Sequence, residues 1–407
     1  MTFEDLVGQD AAAAALRRAV SAGRVAHAYL FVGPEAVGKR TAAFCLAKAL
    51  NCREPRDGDA CDACESCRRI EQGTHPDVRL IGPTLEDSPG YLTPVPDDAP
   101  GPATIRMAQI RTVPGKPRQA PGPLVHDISL RPAFAAWKVY VISPADRMQQ
   151  DTANALLHVL EEPPTYAVII LVTARPAAIL PTVQSRCREL RFRLASSGEI
   201  AACLEGRGVD APAARRLARL AAGRTGWAIR AAASPEMLRA REALVEWIEG
   251  LCEAPPQAAL KVAEDLRVLA YQAWRGASDG ESEGEEAPEG GDGEPPQRPQ
   301  AGGARPLQRL SEDQLLRARL PDSLEVVLRW LRDLAVLRCG RPDLAVSGDD
   351  DPRLAERAAA YSVSDLRRAM SSVQRAMRYI EQRASIPITT DALAEVLIGI
   401  LGRPDEK

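Results

Sequence analysis

The sequence is short of charge imbalance, of histidine and of long apolar runs. Formal net charge is only -3 across 407 residues, so there is no overall pull toward phosphate backbones and a tight stand-alone nucleic-acid binder is disfavoured. No run of about 18 apolar residues occurs, and no apolar segment follows a basic start, which predicts a cytosolic chain that is neither secreted nor membrane-spanning. Only four histidines are present. His126 and His158 have no acid or nucleophile partner, and no Ser-His-Asp arrangement is visible. No internal repeat of fixed period is found either.

What is present is organised in blocks. A chain of this length exceeds what a single core sustains and predicts two or three domains. Residues 1–193 alternate apolar strands, 28–33, 77–82, 138–143 and 167–173, with helical stretches, the pattern of a parallel sheet covered by helices in an α/β domain. Residues 83–102 and the following "VPGKPRQAPGP" are rich in Pro, Gly and Asp and are expected as surface loops. Residues 194–275 turn Ala/Leu/Arg-rich and predict a small helical domain. Residues 276–305 read as an acidic disordered linker with too little apolar surface to offset its ordering entropy. Residues 306–403 predict a second helical domain: apolar residues recur from 324 to 334, another periodic stretch runs from about 363 to 382, and a third helix covers 390–401 with Thr390 or Asp391 as its N-cap.

The stretch "YLFVGPEAVGKRTAA" places Gly33, Gly38 and Lys39 at the spacing of a phosphate-binding P-loop between a strand and a helix. Backbone N–H groups at such a helix start face the phosphates, and the lysine neutralises their charge. The next residue, which normally ligates magnesium through a hydroxyl, is Arg40. A guanidinium has donors and no acceptor. Thr41 comes one residue late, about 100° round the helix. The strand "KVYVI", where an acidic pair would complete a hydrolytic site, runs into Ser143-Pro144, with Asp146 the nearest acid. ATP binding is therefore expected to be possible, and hydrolysis is not expected.

Of nine cysteines, Cys52, Cys61, Cys64 and Cys67 form a C-x8-C-x2-C-x2-C set. Four thiolates close a tetrahedral zinc shell with no open position, so a structural zinc is expected in a module at 51–68. His75 is expected to pack or cap. The other five cysteines are scattered.

The stretches "FEDLVGQDAAAAALRRAVSAGRVAHAYLFVGPEAVGKR", "KVYVISPADRMQQDTANALLHVLEEPP" and "ILPTVQSRCREL" resemble the clamp-loader branch of the AAA+ ATPases, and within it the delta-prime subunits of bacterial DNA polymerase III. That resemblance implies an AAA+ domain with an inserted zinc module, then a helical lid and a C-terminal helical collar. It implies that Arg186 is an arginine finger acting on ATP bound by a neighbouring subunit, and that Thr173 stands at the sensor-1 position. It places Gly226, with Arg224 as the open alternative, where motor subunits carry a lid arginine. It places Glu161 and Glu162 on a helix end that faces neighbouring subunits. The implied role is a stator in a hetero-oligomer with gamma/tau-like motor and delta-like subunits, which loads the sliding clamp on primed DNA in the cytoplasm. The alternatives are an active gamma/tau-like ATPase and a stand-alone P-loop NTPase. Arg367, Arg368, Arg375, Arg378 and Arg383 are expected to form a solvated face, with contact to DNA or an acidic partner as the alternative.

Overall fold

Near-continuous burial of three adjacent strands, whose successive side chains pack on opposite faces of the sheet, sets the architecture of the N-terminal region. The computed structural model describes residues 1–86, 92–94, 104–113, 122–279, 312–346 and 352–402. The strands are β1 (Ala28–Val32), β2 (Val78–Ile81), β3 (Lys138–Ile142), β4 (Ala167–Thr173) and β5 (Arg188–Arg191). They form one sheet in the order β2-β3-β4-β1-β5, and the paired strands are all parallel. Tyr29, Phe31, Val139, Val141, Val168 and Ile170 face one side and pack on helices α1 (Asp10–Ser21) and α2 (Lys39–Asn51) through Leu16 and Leu46. Leu30, Tyr140, Ile142, Ile169 and Leu171 face the other side and pack on helix α4 (Gln150–Glu161) through Leu156 and Leu160. Each large apolar side chain buried this way contributes about 1.5–3 kcal/mol, which makes β3 and β4 the most secured part of the sheet.

The four expected strands are all present, each within a residue or two of its expected ends. β5 was not expected. Its sequence RELR is polar because the strand lies at the sheet edge with mostly exposed side chains, so no apolar run marks it. The stretch 83–102 is also less irregular than expected. Thr84–Glu86 pairs antiparallel with Leu92–Pro94, and Thr84 bridges to Thr104 beside the buried Ile105. The first residues of the expected linker end the helix Ala259–Asp279; its remainder as far as 311, residues 87–91 and 95–103, and residues 114–121 of the second expected loop lie outside the described residues.

The chain divides into two compact units, Met1–Ile229 and Arg230–Lys407. The stretch read from sequence as one helical domain, 194–275, is thereby split. Helices α5 (Ser197–Glu205) and α6 (Ala211–Ala221) belong to the first unit, and the boundary falls inside α7 (Thr225–Ala233). Helices α8 (Pro235–Leu251) and α9 (Ala259–Asp279) share a core with the C-terminal helices, because Leu244, Ile248, Leu251 and Leu266 interleave with Leu324, Val327, Leu331 and Leu397. Those C-terminal helices are α10 (Glu312–Arg338), α11 (Pro352–Ala359), α12 (Val363–Glu381) and α13 (Ile386–Leu401). Helix α13 starts four residues before the expected Thr390, with Ser385 as its N-cap and Pro387 in the first turn, where a missing N–H costs nothing. Thr390 instead donates back to the Ile386 carbonyl at 3.0 Å. Among the described residues, no helix is long and apolar enough to cross a membrane.

Candidate functional site

The P-loop is formed as its glycines require. Gly38 at the start of α2 has φ +95°, and Ala36 before it has φ +56°. Gly33 follows β1, and a Cβ there would sit 2.5 Å from the Phe192 carbonyl oxygen, so the close approach of the chain after β5 admits glycine alone. Lys39 is 7% exposed. Its ammonium donates to the Gly33 carbonyl at 2.6 Å and to the Pro34 carbonyl, both within the loop itself. Burial lowers its pKa from 10.5 to about 8, against the opposing charges of Glu35 and Asp146. Arg40 is exposed and lies over the Phe44 ring at 5.9 Å, and Thr41 is half-buried.

Asp146 lies in the short 3-10 turn after β3, and its carboxylate is engaged on both oxygens. Thr173, buried at the end of β4, donates to Oδ1 at 2.8 Å, and Arg175 donates through Nε and Nη2 to Oδ2 at 3.0 and 2.8 Å. The sequence singled out Thr173 and Asp146 separately but not their bond, and Arg175 was missed. A charged residue two positions past a strand end was the only available signal. Gly226 is held against the P-loop, its N–H donating to the Ala36 carbonyl at 2.7 Å. A Cβ on Gly226 would lie 3.1 Å from that oxygen, so the small residue is what lets α7 begin there.

Arg186 follows the short helix Pro181–Gln184 on the way into β5. Its Nη1 donates to the Thr182 carbonyl at 2.8 Å, and its Nη2 to Glu161 Oε1 at 2.7 Å, with side chains 35% and 47% exposed. The structure therefore brings Arg186 to the end of α4, a pairing that the sequence did not reveal.

The four cysteines converge. The sulfurs of Cys52, Cys61, Cys64 and Cys67 all lie within 4.8 Å of one another, compatible with the roughly 3.8 Å edge of a tetrahedral zinc–thiolate shell. Backbone N–H groups of Cys61 and Cys64 donate to the sulfurs of Cys52 and Cys61 at 3.2 and 3.3 Å. Burial pushes the Cys64 thiol up, but hydrogen bonds from the backbone at Arg53 and Cys67 and from the neighbouring thiols bring it down to about 6. The group can hold a metal ion, and its all-sulfur donor set fits zinc.

The module is fastened to the fold by polar groups the sequence did not flag. Buried Lys48 of α2 pairs with Asp62 and Glu71, on either side of Cys64 and Cys67. Asp59 accepts from the Phe3 N–H and from Arg17. His75 is buried and shares a hydrogen bond with Ser66 at 3.2 Å, while its Nδ1 accepts from the Asp77 N–H at 3.1 Å. It packs and caps, as expected. Asp77 accepts N–H bonds from Ala133, Phe134 and Ala135 at 2.7, 2.7 and 2.9 Å. Phe134 in turn lies under the guanidiniums of Arg53 and Arg69.

In the C-terminal unit, Arg367, Arg368, Arg375 and Arg378 lie exposed on α12 and Arg383 just past it. Arg367, Arg368 and Arg375 border an open groove floored by Val396, Gly399 and Ile400 of α13.

Residues 8–196 match the family described as DNA polymerase III, delta subunit. DNA polymerase III subunit delta' of Bacillus subtilis is 34% identical over 178 residues, which is 44% of this chain and 45% of that protein. DNA polymerase III subunit tau of Escherichia coli is also 34% identical, over 193 residues, or 47% of this chain and 25% of that protein. Identity therefore does not separate the two types. The aligned stretch spans less than half the length of either relative. A solved DNA polymerase III gamma subunit-related protein of Thermotoga maritima has a TM-score of 0.38 at 14% identity, covering 95% of this chain and 99% of that one.

Proposed function

Because residues 8–196 match the family described as DNA polymerase III, delta subunit, we propose that the chain is a clamp-loader AAA+ protein and, more closely, a delta-prime-like stator subunit, one that assists ATP-dependent clamp loading without hydrolysing ATP itself. The observation that carries this reading is the state of the three positions around the P-loop. Arg40 replaces the magnesium hydroxyl, β3 ends in Ser143-Pro144, and the acid that follows that strand, Asp146, has both oxygens committed to Thr173 and Arg175. The resemblance puts Gly226, with Arg224 as the alternative, at the lid position, and the Gly226 N–H donates to the Ala36 carbonyl. Lys39 remains able to meet phosphate, but nothing in this group positions a metal-bound water.

The catalytic contribution is then Arg186, offered to ATP held by a gamma/tau-like neighbour. There water attacks the γ-phosphorus, the bond to the β–γ bridging oxygen breaks, and the guanidinium stabilises charge on the transferring group. A structural zinc at Cys52, Cys61, Cys64 and Cys67 would close the module against α2 and add no chemistry of its own. The partners on this reading are motor and delta-like subunits, the sliding clamp, and primed DNA reached through the complex, in the cytoplasm of a bacterium.

The discriminating experiment is ATP turnover by the purified chain with and without primed DNA, beside a loader reconstituted with motor subunits and clamp. The stator reading expects no turnover from the chain alone, and slower loading with intact assembly for Arg186→Ala. DNA-stimulated turnover by the chain alone, abolished by Lys39→Ala, would establish the gamma/tau-like reading instead.

A further inference from the structure

We infer that Glu161 is the positioning residue for Arg186, holding its guanidinium in one orientation for presentation to a neighbour's nucleotide; this rests on the finger reading above. A free arginine on an exposed turn samples many rotamers, and each must be lost before it can act on a phosphate. Here two different guanidinium nitrogens are gripped from two directions. The Thr182 carbonyl holds Nη1 at 2.8 Å from within the same turn. Glu161 Oε1 holds Nη2 at 2.7 Å from the last residue of α4, 25 positions away in sequence.

Two acceptors on a rigid planar group fix its plane as well as its position. A guanidinium has five N–H bonds, and two are spent on these contacts, so the remaining three stay available for phosphate oxygens. The platform under Glu161 is itself fixed. Leu156, Val159 and Leu160 of α4 are buried against the sheet, and Pro163-Pro164 cannot continue the helix, so it stops where the carboxylate is needed. Both side chains are partly exposed, 35% and 47%, which leaves the pair reachable by another subunit.

The test uses the reconstituted loader with Arg186→Ala, Glu161→Ala, Glu161→Gln and the Arg186→Ala/Glu161→Ala double variant, measuring kcat and KM for ATP with clamp and primed DNA present. Glu161→Ala is expected to lower kcat by roughly tenfold with KM nearly unchanged, since only orientation is lost. Glu161→Gln should recover part of that, because the amide oxygen still accepts from Nη2. In the Arg186→Ala background, Glu161→Ala should add nothing. Wild-type kcat for Glu161→Ala beside a slow Arg186→Ala overturns the positioning role while leaving the finger intact. An equal loss with and without Arg186, or failure of Glu161→Ala to assemble by gel filtration, assigns Glu161 elsewhere. Normal loading by Arg186→Ala defeats the finger reading itself.

Discussion

Replacing Lys39 by Met should stabilise the protein at neutral pH. The ammonium is buried among loop backbone, and its pKa falls from 10.5 to about 8, chiefly because burial disfavours the charged form. That interval of roughly 2.5 pH units corresponds to about 3 kcal/mol of penalty when the lysine stays protonated. Against it stand the hydrogen bonds to Gly33 and Pro34, whose carbonyls the methionine would leave without this donor at about 1 kcal/mol each. The net expectation is a gain of roughly 1–2 kcal/mol at pH 7 for Lys39→Met. The unfolded lysine holds its proton up to about 10.5 and the folded one releases it near 8, so the unfolded state binds more protons in between. The penalty is thus present in full below pH 8 and is relieved as pH rises toward 10.5. Urea denaturation of the wild type and Lys39→Met at pH 7 and pH 10, with the first unit's transition fitted separately, reads both quantities. A variant less stable at pH 7, or a stability gap of the same size at both pH values, would refute the assignment of a penalised buried charge.

Three further outcomes follow from the geometry. Gly33→Ala should lower the urea midpoint by an amount equivalent to about 1–3 kcal/mol, because its Cβ would stand 2.5 Å from the Phe192 carbonyl oxygen; an unchanged midpoint contradicts the close approach. Asp77→Ala removes the acceptor of three N–H groups and should cost about 2–4 kcal/mol in the same assay, the exposed Ala133 N–H recovering water and keeping the loss toward the lower end. Metal analysis should find one zinc per chain, and both its removal by chelator and Cys67→Ser should lower Tm by roughly 5 °C or more. Equal Tm with and without metal would remove the structural role.

Legibility followed the range of the interactions involved. β1, β3 and β4 were readable because each is buried on both faces and so is written as a run of apolar residues, while β2 (VRLI) showed as a shorter pattern with Val78 and Ile81 buried and Leu80 exposed. β5 escaped because an edge strand needs little apolar sequence. The start of α13 was set too late because Thr390 and Asp391 read as N-caps, whereas Ser385 takes that place and Pro387 is harmless in a first turn. The helices of 194–275 were anticipated, but their division at 229/230 depends on which apolar stripes meet, and periodicity alone does not name a stripe's partner.

The P-loop and the cysteine set belong to the sequence by itself. Both depend on spacing along one short segment, where chain geometry leaves few alternatives: glycines at a strand-to-helix turn, and thiols brought within 4.8 Å by tight turns. The tertiary structure alone decided what holds those groups. Asp146 meets Thr173 and Arg175, Glu161 meets Arg186, and Lys48 meets Asp62 and Glu71. The first two pairings join the ends of neighbouring strands and helices across 25 to 29 residues of chain, and the last joins α2 to the cysteine segment. Such contacts exist only once the sheet has brought those ends together, because a side chain's charge carries no address until the hydrophobic core has placed it.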